Sequence, residues 1–295
     1  MAPQARVESR HAIGGYRTDL RKETMPELPE VENVVTTLAP GLLGATIERA
    51  VVLCAVSVGR PSPDEFASRI AGRQVLGLSR RGKYILVALG GGLHLVAHLR
   101  MTGALLLSPD EAPQPRFARV ALVLVDGRVL WFADLRKFGR LWLVGDPSEV
   151  LPDLGPEPFD PALDAASLHG RLQHCRRPVK SLLLDQAFVA GLGNIYADEA
   201  LFVAGIHPCR PASALSQREA TSLLEAIRRV LADGIANRGT TIANYVDANG
   251  RPGENQEQLL VYGRAGQECP RCGGKIGRLR LAGRNAAFCP RCQRR

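Results

Sequence analysis

The sequence predicts an α+β protein in which a β-rich region with antiparallel strands precedes a helical region and a small terminal cysteine module. Three observations carry this reading. The hydrophobic pattern is mostly strand-like up to about residue 144, and it turns helical beyond a proline-rich stretch at 146–161. Four of the seven cysteines crowd the last 27 positions. At 295 residues the chain is long enough for two domains with separate cores.

Residues 1–24 are polar and contain arginine, with no apolar stretch, which excludes a secretory signal. Glu8, Asp19 and Glu23 argue against a transit peptide. A new beginning follows at Met25. Pro26 and Pro29 with Glu27 and Glu30 open a helix marked by Val31, Val34, Val35 and Leu38, because prolines and acids suit a first turn. Gly41 and Gly44 close it.

Strands at 84–89 and 94–99 flank Gly90-Gly91-Gly92, and strands at 120–125 and 128–132 flank Asp126-Gly127, a strong hairpin signal. Five prolines make 146–161 a linker. Helices are expected at 163–173, 179–185, 195–203 and 217–236, then a polar, mobile loop at 244–258 and short strands from 259. The expected division is a non-catalytic leader (1–24), an N-terminal domain (25–145), the linker, a helical domain (162–258) and a terminal hairpin (259–295).

A composition of 45% hydrophobic and 23% charged residues excludes disorder along the whole chain. Thirty-eight basic residues against twenty-nine acidic ones leave +9, with an isoelectric point near 9.5, which favours a polyanionic partner. No run of about 18 apolar residues exists, so no membrane span is expected.

Cys269 and Cys272 form one Cys-x-x-Cys knuckle, and Cys289 and Cys292 form a second after a gap of sixteen residues. Four thiolates at this spacing close a tetrahedron around zinc and leave no position for substrate, so one structural zinc ion is expected. Residues 269–295 carry eight Lys plus Arg and no acid, which suits phosphate contact. Gly283, Arg284 and Asn285 fall near the tip of the hairpin. By itself such a finger fits a transcription factor or a ribosomal protein equally well.

A second pattern joins 179–190 to 195–202 through Gly191, Gly193 and Asn194. Asn194 reads as an N-cap, and the helix start is either a phosphate site or one end of a plain helical hairpin.

Taken together, MPELPEVE at 25–32, RGKY at 81–84, HLRMTG at 98–103, DLRKFG at 134–139, the stretch 180–199 and the four-cysteine module resemble the formamidopyrimidine-DNA glycosylase / endonuclease VIII family of base-excision-repair enzymes. The resemblance covers about residues 25–295. Leu28 points to the formamidopyrimidine branch, since endonuclease VIII proteins typically have glycine there.

The resemblance implies an N-terminal antiparallel β-sandwich with flanking helices and a helical helix–two-turns–helix domain ending in a zinc-finger β-hairpin. It implies a monomer acting in a bacterial-type cytoplasm, at the nucleoid, on double-stranded DNA with oxidised bases or abasic sites. Pro26 would be the nucleophile once its nitrogen is a free terminus, with Glu27 the acid and Glu30 a supporting carboxylate. Lys83 would serve β-elimination, and Arg284 δ-elimination and phosphate binding.

Met101, Arg136 and Phe138 match the wedge that fills the gap left by a flipped base. Lys180 and Asn194 match phosphate contacts, and Arg176 adds to that surface. RFAR at 116–119 replaces a His-containing segment of many members, so Arg119 is expected to substitute. GENQ at 253–256 departs from the usual loop over the flipped base.

The same residues leave two alternatives: a preference for oxidised pyrimidines, or a non-catalytic protein that keeps the scaffold. The leader conflicts with the chemistry, because an amide nitrogen at Pro26 has a delocalised lone pair and cannot attack a sugar. The functional chain is therefore expected to begin at Pro26. A basic surface that meets phosphates also makes affinity fall steeply with salt. A duplex-binding titration at two salt concentrations checks this, and an affinity indifferent to salt contradicts it.

Overall fold

The computed structural model describes residues 25–109 and 112–295; the expectation for the leader lies outside them. Glu27 precedes helix α1 (Leu28–Leu42); Pro29 falls in its first turn as the sequence predicts, whereas Pro26 lies before the helix and Pro40 near its end. The sheet elements follow: β1 (Ile47–Val52), β2 (Val58–Arg60), helix α2 (Pro63–Ile70), β3 (Val75–Arg81), β4 (Tyr84–Leu89), β5 (Leu93–His98), β6 (Gly103–Ser108), β7 (Ala118–Leu124), β8 (Val129–Asp134) and β9 (Arg140–Val144).

These strands form a five-stranded sheet ordered β2-β9-β5-β4-β3 and a four-stranded sheet ordered β1-β7-β8-β6. Alternating residues of both, such as Val87, Leu95, Val120 and Phe132, share one core with Val31, Val34 and Leu38 of α1. This is the sandwich, with one departure from antiparallel pairing: the three-residue edge strand β2 runs parallel to β9. Gly91 and Gly92 take positive φ in the β4–β5 turn. The Asp126-Gly127 turn spans three residues, 125–127, rather than two, because Leu124 N–H donates to Arg128 O at 2.8 Å and closes the loop there.

The second half carries α3 (Ala165–Gln173), α4 (Val179–Leu183), α5 (Asn194–Val203) and α6 (Gln217–Ala236), then the hairpin β10 (Gly277–Leu281) and β11 (Arg284–Phe288). Asp164 caps α3 and Ser216 caps α6 with side-chain oxygens, which is why those helices begin where they do. A second core packs these helices together, and Leu28 belongs to it. Helix α1 thus contributes its first residue to one core and its later turns to the other. Among the described residues no helix is long and apolar enough to cross a membrane.

Two connecting segments are more firmly held than their composition suggests. The proline-rich stretch is fastened to the helical half by hydrogen bonds from Gly155 to Gln186 O and from Ala190 to Pro156 O. In 244–258, Asp247 accepts the amides of Asn249 and Arg251, and Gly253 lies so close to the Gly239 carbonyl that a Cβ would be 2.1 Å from it.

Candidate active site

Pro26 is buried where the two halves meet. Leu28 N–H donates to Gly191 O at 3.0 Å, which fixes the start of α1 against the glycine turn before α5. Glu27, only 3% exposed, turns its carboxylate onto the first turn of α5 and accepts Ile195 N–H at 2.9 Å and Tyr196 N–H at 3.4 Å. The expected cap, Asn194, is instead the first helical residue, and Gly193 is at the cap position. The cap is supplied from 168 residues away. Gly193 makes this possible, since a Cβ there would sit 2.3 Å from Glu27 Cδ.

Glu30 stands behind Glu27 as the sequence places it. It accepts Glu27 N–H at 2.8 Å, the Tyr196 hydroxyl at 2.8 Å and Thr240 N–H at 2.7 Å. Burial, with the Glu27 charge beside it, pushes its carboxyl up to about 7. Burial also raises Glu27, offset in part by Lys83 and by the α5 amides.

Lys83 occupies the β3–β4 turn and is 4% exposed; burial lowers its ammonium, Glu27 works against that, and Arg284 adds to it. The site therefore holds an acid that keeps its proton longer and a base that loses its proton sooner than in water. The neighbouring Arg80 and Arg81 are not a solvated strand end. Glu157 accepts from Arg80 at 2.7 Å, Arg81 at 2.9 Å and Gly82 N–H at 2.6 Å, and so anchors the turn that carries Lys83.

The three residues expected to form the wedge also meet. The Arg136 guanidinium lies 4.8 Å over the half-exposed Phe138 ring and donates to Met101 Sδ at 3.5 Å. Asp134 holds both loops: it accepts the Thr102 hydroxyl, Arg136 N–H at 3.1 Å and Gly139 N–H at 2.7 Å. Arg100 and Lys137, one in each loop, take positive φ of 55° and 59°. Such strained backbone persists where surrounding contacts over-determine it. Arg119 Nε donates to Asp134 O at 2.8 Å, so part of its guanidinium braces the strand end from which Asp134 holds these loops.

Arg176 is exposed, and Asn194 is half-buried at the start of α5. Lys180 differs from the surface contact expected of it. Its side chain is 1% exposed, with the ammonium 2.6 Å from Asp198 and donating to Asn285 O at 2.7 Å. The buried Asp198 carboxylate draws it inward.

Cys269, Cys272, Cys289 and Cys292 converge with all four sulfur atoms within 4.8 Å of one another. The Cys269–Cys292 and Cys272–Cys289 sulfur separations are 3.9 and 3.5 Å. A zinc tetrathiolate with bonds of about 2.3 Å has edges of about 3.8 Å, so the donors fit one structural zinc ion. Glu199 fastens the entry to this module by accepting the amides of Leu260, Val261 and Tyr262 at 2.8–2.9 Å. Arg284 is exposed at the first position of β11, after a turn at Ala282-Gly283.

Sequence reasoning missed Glu157, Asp198 and Asp134 as organisers of the site. Asp134 was visible in its motif, but the other two carry no local signal: Glu157 meets Gly82, 75 residues away, and Asp198 pairs with Lys180 and with Ala287, 89 residues on.

A β-sandwich joined through one helix to a helix–two-turns–helix region and a zinc hairpin defines a class of two-domain zinc-finger proteins. Family models match the formamidopyrimidine-DNA glycosylase N-terminal domain at 25–141, its H2TH domain at 154–246, and a zinc finger found in FPG and IleRS at 266–295. The chain belongs to the formamidopyrimidine-DNA glycosylase family.

Its sequence is 53% identical over 260 residues to a formamidopyrimidine-DNA glycosylase of Moorella thermoacetica, covering 87% of this chain and 95% of the relative. It is 46% identical over 271 residues to one from Chloroflexus aurantiacus, covering 91% and 98%. Among solved structures, the MutM (FPG) protein of Thermus thermophilus matches with a TM-score of 0.81 and 44% identity, covering 91% of this chain and 98% of that one. Lactococcus lactis Fpg in complex with abasic-site DNA matches with a TM-score of 0.84 and 35% identity, covering 91% and 100%.

The raised Glu30 carboxyl sets a pH dependence. Between its ordinary 4.5 and about 7 the folded chain holds a proton that the unfolded chain has released. Stability from this group is therefore greatest at low pH and is lost as pH rises through that window. In Glu30→Gln the melting temperature should fall less over the same window. An unchanged slope, measured by thermal unfolding at several pH values, contradicts the assignment.

Proposed function

We propose that the protein is a zinc-containing bifunctional DNA glycosylase and AP lyase that removes oxidised purines, chiefly 8-oxoguanine and formamidopyrimidines, from duplex DNA. It acts as a monomer in the cytoplasm, at the nucleoid. The observation that carries the reading is the buried convergence of Pro26, Glu27 and Lys83, with Arg284 close enough to bias the Lys83 charge. The relatives named above, and the solved Lactococcus lactis complexes with Fapy-dG and abasic-site DNA, support the substrate class.

In this reading the free Pro26 amine attacks C1′ as the bond from C1′ to the base breaks, and the departing base carries off the bonding pair and the proton given up by the Pro26 nitrogen. Glu27 gives its proton to the ring oxygen as the sugar opens, leaving an iminium at Pro26. A free α-amino group has a pKa near 8, so much of it is unprotonated at neutral pH. Lys83 serves the step that removes a C2′ proton and expels the 3′-phosphate. Arg284 serves the second elimination, in which a C4′ proton leaves and the C5′–O bond breaks.

Met101, Arg136 and Phe138 fill the space of the extruded nucleotide, while Arg119, Arg176 and Asn194 meet the backbone. Residues 25–145 thus supply the nucleophile and the wedge. Residues 162–258 supply the platform, and 259–295 the hairpin arginine.

A chain beginning at Pro26 should be trapped on abasic-site DNA by borohydride. The intact 1–295 chain, its N-terminus verified by mass spectrometry, should not be trapped. Robust trapping by the intact chain would remove the requirement for a free Pro26 amine. The wedge gives an independent check. Met101→Ala and Phe138→Ala should impair excision of an oxidised base more than cleavage at a preformed abasic site, which costs less to extrude. Equal losses in single-turnover assays on the two substrates would make these residues packing elements only.

A further inference from the structure

The outer edge of β11 is where a two-stranded hairpin is ordinarily open. The Ala282-Gly283 turn has positive φ at both residues, 47° and 78°, the pattern of a two-residue hairpin turn. In the register Leu281–Arg284 and Leu279–Ala286 the amides of those pairs face each other. The backbone groups of Asn285 and Ala287 therefore point away from β10. Both are taken by buried charge. Lys180 Nζ donates to Asn285 O at 2.7 Å, and Asp198 Oδ2 accepts Ala287 N–H at 3.0 Å.

The two side chains are 2.6 Å apart and 1% and 2% exposed. A carbonyl and an N–H two residues further on are what one residue of a parallel neighbouring strand would satisfy. The ion pair takes the place of that strand.

The grip falls one and three residues after Arg284. Lys180 comes from α4 and Asp198 from α5, the helix whose first turn holds Glu27. One helix therefore orients the carboxylic acid at its start and the arginine hairpin about one turn later. Asp198 also offsets the Lys180 charge, which otherwise repels Arg284.

We propose that the Lys180–Asp198 pair is a positioning device for Arg284 and sets how far its guanidinium reaches into the site for the second elimination. The proposal rests on the reading of Arg284 as the δ-elimination residue. Neither member of the pair need touch DNA to act.

The test uses zinc-loaded protein and a duplex with one abasic site, with the β-product (a 3′-unsaturated aldehyde) and the δ-product (a 3′-phosphate) resolved by electrophoresis. Asp198→Asn keeps the shape and removes the charge. It should keep one zinc per chain and the borohydride trapping that reports Pro26, while the δ-to-β ratio falls about tenfold or more. A double variant, Lys180→Met with Asp198→Leu, leaves no lone buried charge and should show the same fall in ratio whatever its overall rate. It decides the matter if Asp198→Asn loses zinc.

An unchanged ratio overturns the proposal, and so does a parallel loss of trapping and both eliminations, the mark of a purely structural role. Arg284→Ala run alongside separates the two levels. If it leaves the ratio unchanged, the reading of Arg284 falls and this proposal with it. If it lowers the ratio and the Asp198 variants do not, only the positioning role falls.

Discussion

The carboxylate of Glu27 caps a helix to which it does not belong, and the rest of the site depends on that contact. The first amides of a helix have no partner inside it, and a carboxylate both satisfies them and complements the dipole. Here the carboxylate belongs to the residue before α1, and the helix is α5 in the other half of the chain. The approach exists because Gly193 has no side chain and because Leu28 is drawn into the helical core. With the Leu28 N–H to Gly191 O bond and the bonds of Glu30 to Tyr196 and Thr240, this contact joins the halves, seats Pro26 at their junction and fixes the acid beside it.

Burial decides the electrostatics of the centre. The α5 amides and Lys83 favour an ionised Glu27, yet desolvation is the larger effect and its carboxyl is raised. Desolvation likewise outweighs Glu27 in lowering Lys83. Each group is pushed toward its neutral form, which suits proton donation by one and acceptance by the other. At the periphery the balance runs the other way. Arg80 and Arg81 donate to Glu157 at partly exposed positions. Burial raises the Glu157 carboxyl there, yet the ion pairs and the Gly82 amide together outweigh it and hold the group below the usual carboxylate range.

Much of this was legible in the sequence. The α1 start, the glycine hairpin of β4 and β5, the four helices and the cysteine pairs follow from local chemistry, and the structure places them within a few residues of expectation. Met101, Arg136 and Phe138 were legible only as motif members, and their mutual contact needed the fold. What was not legible is what distant pairing creates. Asn194 has the right composition for a cap, but the Glu27 carboxylate reaches the amides first. Lys180 reads as a surface cation until Asp198, eighteen residues on, is seen to draw it inside. The parallel pairing of β2 has no sequence signal, since three edge residues carry no period.

The central claim is that the terminal amine nitrogen of Pro26, rather than a lysine, forms the covalent bond to the sugar. The most direct measurement is peptide mapping by mass spectrometry of the complex reduced on an 8-oxoguanine duplex. The account requires the sugar remnant on the peptide that begins at Pro26. A remnant on the peptide containing Lys83, or no covalent complex from a chain verified to begin at Pro26, would contradict it.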